Sequence, residues 1–304
     1  MPSNYFNLAL PGLLLPEITL TWNPMGSKMR AAKNQARPSW RSNVIRRTLI
    51  ALLTVLSTAA CLPAQAPPKI KVLILTGVNN HDWRSTTPVL RDILERSGRF
   101  DVRINEECRG CGLETFAPYD VLLLNYNDWK NSGPWWDDRA RQALLDYVRN
   151  GKGLVSYHAS NNAFWGWPEY DKLIGGTWRD TAGHGPYHPF TVNIVDREHP
   201  ITKGLPASFA QNDELYHLLS MQPNIHVLAS AFDDPKNCYK PNEGCGTGKD
   251  EPLLWTLQYG QGRVFQTALG HDAKAMQSPG FVITLLRGTE WAATGAVTIP
   301  VPPM

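Results

Sequence analysis

Familiar catalytic signatures are missing from this 304-residue chain. No GxSxG occurs, so the strand-to-helix elbow of a standard serine hydrolase is absent. There is no GxxxxGK followed by Ser or Thr, and no GxGxxG behind the first strand, so nucleotide phosphates find no backbone cradle. No apolar run reaches the roughly 20 residues that a transmembrane helix needs. Charge is scarce, at 19% of residues, and its formal excess of +3 is unevenly held. Residues 1–66 carry seven Lys/Arg and one acid, which leaves 67–304 with a net charge of −3. A basic body that tracks nucleic-acid phosphates is thereby excluded. There is no internal repeat, heptad or low-complexity tract. What is present, 42% hydrophobic and 10% aromatic residues, is enough for a real core, and 67–304 suit one large domain.

Arg46 and Arg47 precede residues 48–62, a stretch without charge, and Ser57-Thr58-Ala59-Ala60-Cys61 closes its apolar run with mostly small side chains. A positive flank, a short apolar stretch and a small-residue site are the three parts of a secretory signal. Residues 1–66 therefore read as a leader, and the domain as exported: periplasmic, cell-envelope or secreted. Ala64-Gln65-Ala66 offers one cleavage pattern, and a cut before Cys61 would leave a cysteine for a lipid anchor. No membrane span is expected. Cys108, Cys111, Cys238 and Cys245 fit two disulfides in an exported chain, most simply one within each pair. The rival is zinc, because Cys108-Arg109-Gly110-Cys111 has ligand spacing.

Residues 70–75 (IKVLIL) form a continuous apolar run, as in a strand buried on both faces. Thr87 is a good helix N-cap with Pro88 at the first helical position, and Val89, Leu90, Ile93 and Leu94 follow at helical spacing up to Gly98. Strands are expected at 100–104, 120–125 and 153–157, with a helix over 137–150 between the last two. This βαββαβ rhythm predicts an α/β fold, a parallel sheet with helices on both faces. Further strands are expected at 190–195 and 225–231, a hairpin around Gly260-Gln261-Gly262, and a closing helix over 281–293.

In open parallel sheets, ligands bind beyond the carboxyl ends of the strands. Four such ends collect polar and aromatic residues. They are Asn79-Asn80-His81-Asp82-Trp83, Asn125-Tyr126-Asn127-Asp128-Trp129, His158 with Ser160, Asn161 and Asn162, and Gly270-His271-Asp272. His158 is the sharpest candidate, because a strand-to-helix turn projects its residue from the sheet edge. A histidine there serves as acid/base or metal ligand, or is structural, with both nitrogens bonded to neighbouring loops. His271 has Asp272 as its candidate orienter. Asp82 is a base or simply a cap on the turn before the helix. Glu214, in Asp213-Glu214-Leu215-Tyr216-His217, is expected to face the cleft. His184 and His188 sit in a Gly/Pro-rich loop that suggests a lid or a metal clip. Trp83, Trp129, Trp165 and Trp167 fall near the proposed mouth. Flat aromatic faces beside Asn, Asp and His suit a sugar ring; the alternative is core filling.

In chain order, the stretches that matter are Thr76-Gly77 with His81-Asp82-Trp83, GLVSYH at 153–158, Trp167-Pro168-Glu169-Tyr170 with Leu173-Ile174-Gly175-Gly176, HPITKGLP at 199–206, Asp213-Glu214-Leu215-Tyr216, and GQGRVF at 260–265 running into Leu269-Gly270-His271. Over about 70–294 this series resembles the ThuA-like (trehalose-utilisation) family. The resemblance implies a flavodoxin-like, class I glutamine amidotransferase-like fold. It also implies a link to sugar metabolism through trehalose, related disaccharides and their keto forms. In class I amidotransferases the elbow carries Cys; here His158 takes that turn, so covalent glutamine chemistry is excluded. The resemblance carries over no established catalytic set, only the frequent histidine positions His81, His158 and His271.

Two functions follow as expectations. The first is an exported sugar-processing enzyme of hydrolase or isomerase type. In it His158, His271 and Asp82 do acid/base chemistry, and His81, His158 and His271 hold a divalent metal such as zinc. Asn80, Trp83, Asn125, Asp128, Trp129, Asn161, Trp165 and Glu214 would contact the carbohydrate. The second is a non-catalytic carbohydrate-binding or scaffold protein of the cell envelope.

Overall fold

The computed structural model describes residues 68–129 and 136–303. The leader reading, with its apolar stretch 48–62 and Cys61, lies outside the described residues. Nine strands form the central sheet: β1 (Ile70–Leu75), β2 (Phe100–Asn105), β3 (Val121–Leu124), β4 (Gly153–Tyr157), β5 (His188–Ile194), β6 (Ser208–Asp213), β7 (His226–Phe232), β8 (Asp250–Tyr259) and β9 (Gly262–Thr267). Their order is β2-β1-β3-β4-β9-β8-β7-β5-β6. The first five in that order are mutually parallel. From β9 onward every neighbour is antiparallel.

The parallel sheet expected from the βαββαβ rhythm is therefore the first half of a mixed sheet. The second half is antiparallel because its strands are joined by hairpins and loops, without the crossover helices that parallel neighbours require. β3 and β4 are buried at every position, and β1 at all but Lys71. That is why they read as unbroken apolar runs.

The helices are α1 (Trp83–Arg96), α2 (Leu113–Phe116), α3 (Asp138–Arg149), α4 (Pro168–Ile174) and α5 (Pro279–Thr294). β1 crosses over to β2 on one side, whereas β3 crosses to β4 on the other. Right-handed crossovers in opposite directions put α1 and α3 on opposite faces. α5 packs on β4 and β9 and touches α1. Among the described residues, no helix is long and apolar enough to cross a membrane.

α1 starts earlier than the sequence suggests. Its cap is Asp82, which accepts from Ser85 N at 3.2 Å, so Pro88 lies inside the helix. Thr87 does not cap because its hydroxyl is committed elsewhere, to Thr76 Oγ1 and Asn125 Nδ2. The HPITKGLP stretch is structural. The Arg287 guanidinium on α5 donates to the carbonyls of Pro200, Ile201 and Lys203 at 2.6–2.9 Å.

One of the two expected disulfides is present. Cys238–Cys245 is bonded across a small two-stranded ladder. Cys108 and Cys111 are buried free thiols, and they belong to no cluster of three or more metal-ligating side chains among the described residues. Their contact is thiol to thiol: hydrogen bonding from Cys108 brings the Cys111 thiol down to about 6 and pushes that of Cys108 up.

Candidate metal centre

Three strand ends of the parallel half each deliver one imidazole. His81 follows β1, in the loop that α1 then leaves. His158 directly follows β4 with φ of 41°, a left-handed conformation that a histidine holds only when its surroundings impose it. His271 follows β9 after Gly270, whose φ of 101° suits only glycine here. The fourth group, Glu214, comes from the antiparallel half, one residue past β6. One ligand atom from each of the four lies within 4.8 Å of all the others.

The three rings stand nearly perpendicular to one another, with interplanar angles of 88°, 77° and 84°. All three face the same oxygen of Glu214. Oε2 is 3.8 Å from His81 Nε2, 3.8 Å from His158 Nε2 and 2.9 Å from His271 Nδ1. The other oxygen, Oε1, faces His184 Nε2 at 3.7 Å.

Neighbours decide which ring nitrogens are free. His158 Nδ1 lies 2.7 Å from the Ala268 carbonyl, which can only accept, so Nδ1 carries the hydrogen and Nε2 the lone pair. His81 Nδ1 faces Asn80 Oδ1 at 3.0 Å and leaves its Nε2 free in the same way. A ring hydrogen fixed on an outer carbonyl is the usual support of a metal-ligating histidine. The Tyr216 hydroxyl donates to His158 Nε2 at 2.8 Å, so it competes with any cation for that lone pair. His271 Nδ1 is buried and, despite its closeness to Glu214, has no hydrogen bond of acceptable geometry.

Electrostatics follow from burial and crowding. Burial, reinforced by the His81 and His271 rings, holds His158 well below its ordinary value, so it is a neutral imidazole. Burial pushes the Glu214 carboxyl up, but the surrounding imidazoles, His271 first, outweigh it and hold Glu214 well below the usual carboxylate range. Burial opposes charge on His271, yet Glu214 and two nearby aspartates raise it. His158 thus offers a neutral nitrogen donor beside an ionised Glu214 carboxylate.

These groups open into a pocket of about 450 Å³. Of the residues expected here, Asn80, His81, Asp82, Trp129, Glu214 and His271 line it. Asp82 does so while capping α1. Asp272 also lines it, but its carboxylate accepts from Lys274 N and Ala275 N; the carboxylate that meets His271 is Glu214.

Other expected sugar contacts lie elsewhere. Trp83 is buried in the first turn of α1, under the Arg84 guanidinium. Asn125 is buried and ties Asn79, Thr86 and Thr87 together. Asp128 accepts from Phe164 N at 2.7 Å. Asn161 is fully buried. Trp165 is exposed and reaches the pocket only through Asn162, to whose Oδ1 its indole donates. Loops that converge at a sheet edge must satisfy their own buried polar groups, and that need consumes Asn125 and Asp128.

The wall residues Tyr216 and Trp178 were not anticipated, and His184 was anticipated only as part of a lid or clip. Tyr216 had a signal: it lies two residues after Glu214 in extended chain, where side chains two apart share a side. Trp178 had none.

The sequence pattern of the ThuA family, described as trehalose utilisation, matches residues 71–292. The chain belongs to the ThuA family. A ThuA-like protein of known structure from Parabacteroides merdae ATCC 43184 is 37% identical, with a TM-score of 0.67 over 77% of this chain and 94% of its own. A second, from Bacteroides uniformis ATCC 8492, is 22% identical with a TM-score of 0.58, over 76% of this chain and 95% of its own, and shows the shared fold. No curated protein matches the chain. The ThuA match spans all four residues of the donor set.

Proposed function

We propose that this ThuA-family chain is a metal-dependent enzyme of carbohydrate metabolism. His81, His158, His271 and Glu214 would hold a divalent first-row ion such as zinc. The observation that supports this is the convergence of three imidazoles and one carboxylate on a single point, with His81, Glu214 and His271 lining the pocket. Imidazole nitrogen and carboxylate oxygen are donors that zinc takes. His271 Nδ1 is buried with the Glu214 carboxylate 2.9 Å away, and a cation between them would be held by both.

When bound, the ion supplies Lewis acidity and charge stabilisation. The chain's own residues do the rest. Trp129, Trp178, Asn80, Asn162 and Asp272 line the pocket, and aromatic rings beside polar groups would suit the C–H faces and hydroxyls of a sugar. His184 stands on the Oε1 side of Glu214 as a proton carrier. The substrate class, a disaccharide or keto-sugar, is supported by the aromatic and polar lining and by the family's description. Work outside the cytoplasm is supported by the leader pattern at 46–61 and by the Cys238–Cys245 disulfide.

Elemental analysis of purified protein should find close to one equivalent of a first-row divalent ion. The loaded protein should convert a disaccharide or keto-sugar, and His158→Ala should abolish conversion without unfolding. Failure to bind zinc or cobalt on loading sinks the metal reading. Saturable sugar binding without product would instead mark a carbohydrate-binding protein. Mass spectrometry of the mature N-terminus tests export.

A further inference from the structure

We infer that Asp213 is the positioning residue of this centre: its carboxylate ties Glu214 and His271 into one rigid unit. The inference rests on the metal reading above for its consequence, but not for its geometry. By sheet order β6 stands four strands from β9. At about 4.8 Å per strand a flat sheet would separate them by roughly 19 Å. Glu214, just past β6, nevertheless meets His271, just past β9. The antiparallel half must curl back over the parallel half, and Phe209 of β6 indeed packs on the backbone of Gly280 in the first turn of α5.

Asp213 closes that curl. It is fully buried and accepts four N–H groups. Oδ1 takes Glu214 N at 2.9 Å and His271 N at 3.0 Å. Oδ2 takes Gly270 N at 2.6 Å and Gln211 Nε2 at 2.9 Å. One oxygen thus binds the backbones of two of the four donor residues, 57 positions apart in the chain. Gln211 is anchored in turn by the Ala275 carbonyl at 3.0 Å. His81 and His158 make no such bond to Asp213, and their strands β1 and β4 lie in the parallel half with only β3 between them.

Asp213→Asn tests this, because it keeps shape but turns one acceptor into an NH₂ donor. Whichever oxygen is replaced, two N–H groups then face a donor. Zinc affinity, read by competition with a chromophoric chelator, should fall about 10–100-fold, the range for outer-sphere supports. Amide exchange at Glu214, Gly270 and His271 should quicken while β1 and β3 amides stay protected. If Asp213→Asn does not fold, Gln211→Leu removes one of the four donors and should weaken zinc binding less, in the same direction. Zinc affinity within twofold of wild type, with unchanged exchange at those three amides, overturns the inference. So does loosening that reaches β1 and β3 equally, which would make Asp213 an ordinary core residue. Should wild-type protein bind no zinc, the metal reading fails and the amide exchange still decides the positioning role.

Discussion

In the parallel half of the sheet, β1, β4 and β9 each end in a loop that carries one imidazole of the site. In the antiparallel half, the residue just past the last strand supplies the carboxylate, Glu214, and a small antiparallel pair, Gly183–His184 with Tyr216–His217, supplies His184 and Tyr216. The two halves reach the same point by different physics. Parallel strands that neighbour one another must end side by side, so His158 and His271 meet by construction of the sheet. Glu214 meets them only because the antiparallel half curls and Asp213 holds it there. A site of this kind has a rigid bank and a positioned bank, and damage to each should differ in kind.

The largest expected effect is on the rigid bank. His158→Ala and His271→Ala should each abolish zinc binding, with circular dichroism unchanged. Glu214→Gln should leave weak binding through the three imidazoles. If Glu214→Gln is as complete a loss as either histidine variant, the two banks are equivalent and the distinction fails.

The frame behind the rigid bank gives the next effect. Glu290 of α5 is buried and accepts from Arg99 Nε at 2.8 Å, from Thr298 and from Ile299 N. Burial pushes its carboxyl up, but these donors outweigh it and bring it below its ordinary 4.5. A lowered value means stabilisation that is fully present above about pH 4.5 and is lost as pH falls through the folded value. Glu290→Gln should therefore lose about 1–3 kcal/mol at pH 7, and thermal melts of variant and wild type should converge in acid. A gap that widens below pH 4.5 would contradict this.

On the positioned bank, Tyr216→Phe has an expected sign that a structural role would not produce. It removes the hydroxyl competing for the His158 Nε2 lone pair. One hydrogen bond contributes about 0.5–1.5 kcal/mol, so zinc should bind more tightly, by up to about tenfold. Weaker binding would show that Tyr216 supports the site and does not compete in it. The smallest effect is a contrast between tryptophans. Trp178→Ala should raise KM for a sugar, whereas exposed Trp165→Ala should leave it nearly unchanged.

The same division marks how much could be read in advance. β1 and β4 were recognised at their full extent, because burial on both faces writes a local apolar run. His81, His158 and His271 followed from where those strands end. The start of α1 was misplaced, because Thr87 and Asp82 are both good caps and only tertiary hydrogen bonding chooses between them. Asn125, Asp128 and Asn161 sit in the right loops but are turned inward, and loop position does not reveal side-chain direction. Glu214 is expected as a substrate contact, and its carboxylate stands among the three imidazoles. The pairing of Cys238 with Cys245, beside unpaired Cys108 and Cys111, also depends on which backbone segments meet.

By itself the sequence determined the alternation of strands and helices, the ThuA character of the domain and the three strand ends where histidines gather. These are consequences of local periodicity and of one general rule about parallel sheets. Only the tertiary structure decided that the curl of the antiparallel half brings Glu214 to the three imidazoles, and that Asp213 locks it there. Contacts between residues 57 positions apart depend on accumulated strand twist and on buried hydrogen bonds, and neither leaves a periodic mark in the chain.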